Sequence, residues 1–233
     1  MKKRIAFYIL VFMCLLVNFN IVYATPAILS ESAVLIDASS GTILAQKNAD
    51  KKMYPASLTK IMTAILAIEL GELTDVITVD DDTPFEIEGS HIALEPGEIL
   101  TLKDLLYALM LPSANDAASV IAKHYGGSLE NFVKMMNQKA KELGAYNTNF
   151  TNPHGLHDTN HYSTAADLAL ITKYAMENDT FRKIVSTTKY EIQTTNKKDE
   201  PRYFTTLNKL IYNTSFNQIY VDGAYISPYY EYA

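Results

Sequence analysis

The chain has 233 residues, 48% of them hydrophobic, with 26 acidic against 20 basic residues and a formal net charge of −6. That acidic balance excludes a nucleic-acid partner and an electrostatic hold on anionic membranes. The apolar fraction, with no low-complexity stretch, is that of a folded globular domain.

Residues 1–24 have the parts of a secretory signal: basic Lys2, Lys3 and Arg4, an apolar stretch Ile5 to Val17, and small-residue cleavage at Val22-Tyr23-Ala24. The stretch is short for a bilayer span, which favours a cleaved signal over a permanent anchor and predicts export to the cell wall or periplasm. Loss of its three basic residues takes the charge from −6 to −9. Cys14 goes with it, so the exported chain has no disulfide and is held by its core.

"AVLIDASSGTILAQ", residues 33–46, reads as a hairpin turning at Ser39-Ser40-Gly41. "SLTKIMTAILAIEL" from Ser57 is apolar nearly all round, the pattern of a helix buried at a domain centre. A strand at Ile77 to Val79 precedes the turn-rich "GSHIALEPGEIL". Thr101 with Asp104 predicts a capping box opening a helix from Leu102 to Met110, stopped by Pro112. Ser113 with Asp116 repeats the pattern for a helix to about Lys123, and Ser128 with Asn131 begins another ending near Gly144. Residues 147–164 form a polar loop, Thr164 with Asp167 caps a helix to about Met176, and strands follow at Thr188 to Gln193 and near Tyr203 to Thr206. Strands, a helical block and more strands predict an α+β domain whose sheet is completed from both ends of the chain. There is no internal repeat and no sign of a second domain.

Ser57 and Lys60 lie three residues apart, which places both side chains on one helix face. Two readings are open. Serine is a favoured N-cap and the lysine a surface charge; or burial lowers the amine's pKa until it takes the serine's proton. In the second reading the serine's own backbone N–H is an oxyanion donor. Ser113 and Asn115 carry the same ambiguity, a cap and a first-turn polar residue against a second catalytic pair. His154, His157 and His161 do not have zinc-site spacing, and read as structural or rim residues of the loop.

S-x-x-K followed by S-x-N is the order in which penicillin-recognising serine enzymes present their site. "MYPASLTKIMTA", "PGEILTLKDLLYALMLPSANDAA", "NFTNPHGLHDTNHYST" and "AADLALITKYAM" resemble the blocks of serine-type D-alanyl-D-alanine carboxypeptidases, the low-molecular-mass penicillin-binding proteins. The resemblance covers roughly residues 30 to 223. It implies a transpeptidase-like fold with a helical block on an antiparallel sheet, over residues 25–223, with no cofactor or metal. It also implies that Ser57 attacks the D-Ala-D-Ala bond of a peptidoglycan stem peptide, releasing D-alanine through an acyl-enzyme. Lys60 would take the Ser57 proton, Ser113 relay one to the leaving amine, and Asn115 bond the substrate amide; β-lactams would acylate the same serine.

The family's third motif, K-T-G, is not in the sequence: "YVDG" at 220–223 resembles its lead-in, but "AYISPYYEYA" follows at 224–233. The K-T-G strand supplies an oxyanion donor and a carboxylate contact, so the expectation is a site about 10³ to 10⁵ weaker, an incomplete sheet, and a tail from a frameshift or early stop. The family's membrane-binding helix has no counterpart, which leaves membrane association open. A wall-binding remnant without chemistry is the rival reading. A β-lactamase is disfavoured, since no E-x-x-L-N follows Asn115 and Ala114 stands where aspartate is expected.

Overall fold

A computed structural model describes residues 28–83, 88–208 and 211. The expected signal (1–24), the "YVDG" segment and residues 224–233 lie outside the described residues, as do both expected ends of the domain. Among those described are strands β1 (Ala33–Ile36), β2 (Ile43–Lys47), β3 (Val76–Thr78), β4 (Ile99–Thr101), β5 (Lys189–Ile192) and β6 (Arg202–Thr205). The helices are α1 (Thr59–Leu70), α2 (Leu102–Met110), α3 (Asn115–Gly126), α4 (Leu129–Glu142), α5 (Ala165–Met176) and α6 (Asp179–Val185). The α+β class holds.

Every residue of α1 from Thr59 to Ala67 is buried, and α2 to α6 all pack against it. Full burial of side chains such as Ile61, Met62, Ile65 and Leu66 contributes about 1.5–3 kcal/mol each, which makes α1 the axis of the domain. Lys60, with no exposed surface, is the exception in that apolar setting.

The locally encoded helices begin where their caps predict. Thr101 and Asp104 form a reciprocal capping box on α2, and the Ser128 and Thr164 side chains accept from Asn131 and Asp167 N–H groups at the starts of α4 and α5. Asn178 caps α6, a helix not anticipated from the sequence, through the Phe181 N–H. α3 ends at Gly127, whose φ of 71° supplies the left-handed C-terminal turn.

At two serines the capping reading does not hold. Ser57 sits in a 3₁₀ turn, Ala56–Leu58, and makes no capping bond; Leu58 occupies the N-cap of α1. Ser113 does not cap α3 either: that helix starts at Asn115 behind Ala114 and runs to Gly126. In both places a serine free of capping duty stands at the site described below.

The strands form three antiparallel hairpins, β1–β2, β3–β4 and β5–β6, each paired only with itself among the described residues. The expected sheet completed from both chain ends is therefore not seen there. β1–β2 turns through Asp37, whose carboxylate accepts from Ser39 and Ser40, and packs on α5. β4 was not anticipated; three residues joined directly to a helix give too short an alternation to read.

Candidate active site

The 3₁₀ turn, α1, the start of α3 and the loop at 150–157 converge on the Lys60 amine. Its Nζ lies 3.3 Å from Ser57 Oγ, 2.7 Å from Asn115 Oδ1 and 2.8 Å from the His154 carbonyl oxygen. Burial pushes the amine down from 10.5 to about 7, and the negative charge of Asp116 opposes that fall. At neutral pH a substantial fraction is thus uncharged. Two of the three neighbours are carbonyl oxygens, which only accept. A neutral amine spends its two N–H bonds on them, and its lone pair is left for the Ser57 hydroxyl.

The loop is held against α1 by a series of bonds. Thr63 Oγ1 donates to the Pro153 carbonyl at 2.6 Å, and Asn152 Oδ1 accepts from the His154 and Gly155 N–H groups in a side-chain-closed turn. Gly155 has φ of 89°, and a Cβ there would lie 1.9 Å from the Ala56 carbonyl oxygen. Only glycine lets the loop come this close to the turn bearing Ser57. Ala56 is itself left-handed at φ 47°, so the backbone just before the nucleophile candidate is strained.

The histidines divide. His161 is buried; Nδ1 accepts from the Thr151 N–H at 3.0 Å, which leaves Nε2–H to donate to Thr59 Oγ1 at 2.7 Å. Burial holds His161 and His154 near 4, so both rings are neutral at neutral pH. His157 is exposed and meets Tyr54 edge-on at 4.5 Å, the rim position expected of it. His154 is more than rim, because its carbonyl holds Lys60. The Asn-Pro-x-Gly turn signature was the signal for that loop's shape, although not for its target.

Asn115 is held at three points: besides accepting from Lys60, its Nδ2 donates to the Glu88 carbonyl at 2.7 Å and its backbone N–H to the Ser90 carbonyl at 2.7 Å. Ser113 is 1% exposed, has φ of 62°, and its Oγ has no hydrogen-bond partner among the described residues. Left-handed strain and a buried orphan hydroxyl both cost stability. Ser113→Gly relieves both against a smaller entropic loss, so a net gain of about 1 kcal/mol is expected in urea denaturation. A fall in stability would show that the hydroxyl has a bonding role in the resting fold.

The structure therefore brings together Ser57, Lys60 and Asn115, with Ser113 buried two residues before Asn115 at the head of α3. The sequence profile of the family described as D-alanyl-D-alanine carboxypeptidase matches residues 20–224. The carboxypeptidase DacF of Bacillus subtilis (strain 168) is 39% identical over 187 residues, covering 78% of this chain and 47% of the relative. DacC of Escherichia coli K12 is 36% identical over 208 residues, covering 85% and 50%. The chain thus spans about half the length of these curated relatives. Among solved structures, a serine-to-alanine mutant of Streptomyces K15 DD-transpeptidase superposes with a TM-score of 0.77 at 31% identity, over 83% of this chain and 79% of that one. Penicillin-binding protein 5 of Haemophilus influenzae gives 0.74 at 33% identity, over 83% and 56%. With a buried amine facing the serine of S-x-x-K and a family match over most of its length, this chain belongs to the D-alanyl-D-alanine carboxypeptidases of peptidase family S11.

Proposed function

We propose that the protein is a serine D-Ala-D-Ala carboxypeptidase acting on peptidoglycan stem peptides outside the cytoplasm, and that β-lactams acylate the same serine. The observation that carries this reading is the Lys60 amine, buried, depressed to about 7, and tied by two carbonyls so that its lone pair faces Ser57 Oγ at 3.3 Å. Ser57 attacks the carbonyl of the D-Ala-D-Ala bond while Lys60 takes its proton, and the Ser57 backbone N–H is the candidate donor to the oxyanion. The Ser113 hydroxyl relays a proton to the leaving amine, giving up its own hydrogen and taking the one that Lys60 received from Ser57, so that Lys60 returns to its neutral form. The second lone pair of Asn115 Oδ1 accepts from the substrate's amide N–H. Water then frees the shortened peptide.

Labelled penicillin incubated with the purified protein is expected to give a covalent adduct that Ser57→Ala abolishes. A folded sample without any adduct would defeat the enzymatic reading in favour of a wall-binding protein without chemistry. An adduct with no D-alanine released from a stem peptide would show that acylation proceeds without turnover and would overturn the carboxypeptidase reading for this chain.

A further inference from the structure

Asp116 follows Asn115 directly, is 2% exposed, and has no part in the steps above. Its carboxylate accepts from the Ile92 N–H at 3.2 and 3.1 Å, the Leu94 N–H at 3.1 Å and the Ala117 N–H at 2.9 Å. Buried charge is tolerated when so many donors meet it, and the N-terminus of α3 adds a favourable partial charge. The residues before Ile92 supply the Ser90 and Glu88 carbonyls that hold Asn115. Ala93, between the two anchored amides, is left-handed at φ 56°, a conformation that persists only where its surroundings fix it.

We propose that Asp116 is a positioning residue: its carboxylate pins residues 88–94 to the head of α3, that segment fixes the Asn115 amide, and Asn115 aims the Lys60 amine at Ser57. The kinetic part of this inference rests on the reading of Ser57 and Lys60 as nucleophile and base. Asp116 also sets the field at the amine. His154 and His161, on the loop packed over α1, are neutral at neutral pH, and Glu69 at the far end of α1 is paired with Lys139 of α4 and bonded by Tyr174 of α5. Among the described residues, the negative charge acting on Lys60 is that of Asp116.

The test is NMR titration of isotope-labelled Lys60 in the full-length protein, beside the rate of penicillin acylation. In Asp116→Asn the Lys60 midpoint should fall, strengthening the ammonium as an acid about tenfold. In Asp116→Glu, which keeps the charge on a longer stem, the midpoint should hold while acylation slows at least about tenfold. An unchanged midpoint in a folded Asp116→Asn sample, or an undiminished acylation rate in Asp116→Glu, overturns the proposal. If Asp116→Asn does not fold, hydrogen exchange of the wild-type Ile92 and Leu94 amides decides: protection supports the pin, and exchange at loop rates overturns it. Titration needs no chemistry, so failure of wild-type acylation would sink the proposed activity while the midpoint shift still judged Asp116.

Discussion

Lys60→Met is expected to slow acylation of Ser57 by about 10²- to 10⁴-fold, the usual contribution of a general base. In the wild type the rate should climb with pH around a midpoint of about 7, as the buried amine loses its proton, and in the variant that climb should vanish. Stability carries a second signature of the same group. Because the folded amine titrates near 7 and the unfolded one near 10.5, the unfolded chain holds more protons between these values. Stability therefore rises with pH across that window and is lowest below it, by a difference on the order of 5 kcal/mol. Methionine removes this dependence. It also orphans the Asn115 and His154 oxygens at about 1–3 kcal/mol each, so the two effects offset near pH 7 and the absolute stability there is uninformative. Urea midpoints measured from about pH 7 to 10 decide the matter, and equal slopes for wild type and variant would refute a depressed amine.

Gly155→Ala should be the most damaging small substitution in the loop. The added methyl would sit 1.9 Å from the Ala56 carbonyl oxygen and 2.4 Å from its carbon, both backbone atoms that no rotamer change can move away. Left-handed alanine adds about 1–2 kcal/mol, and separating loop from turn removes contacts beyond that, so a loss of more than about 3 kcal/mol is expected in urea denaturation. Any folded fraction should acylate slowly, because the His154 carbonyl moves with Gly155 and releases one side of Lys60. A variant with an unaltered urea midpoint would mean that the loop does not approach Ala56 so closely.

The readings that succeeded from sequence share a short range. Thr101 with Asp104, Ser128 with Asn131 and Thr164 with Asp167 each close a bond across three residues, so their helices are written in consecutive positions. The same local logic failed at Ser57 and Ser113, where S-x-x-K and S-x-x-D have the composition of a helix start but the backbone is a 3₁₀ turn in one case and left-handed in the other. Local propensity gave way because the Gly155 loop packs against the turn at Ala56 and Ser57, and because the Ala114 and Asn115 N–H groups after Ser113 bond the Ala108 and Ser90 carbonyls. α6 escaped notice because its Asn178 cap follows α5 after a single residue, and β4 because three residues carry no period.

Sequence alone determined that Ser57 and Lys60 are close enough for their side chains to meet, that the helix bearing Lys60 is buried, and, through the order of its blocks, which family the chain resembles. What it did not contain is the state of the amine. The two oxygens that capture its N–H bonds lie 55 and 94 residues away, and the Asp116 charge reaches it from another helix. Desolvation depends on what fills the space around a group, not on its neighbours along the chain. Only the packing of α3 and the 150–157 loop over α1 strips the Lys60 amine of water and engages its N–H bonds, the state on which its proposed role as base depends.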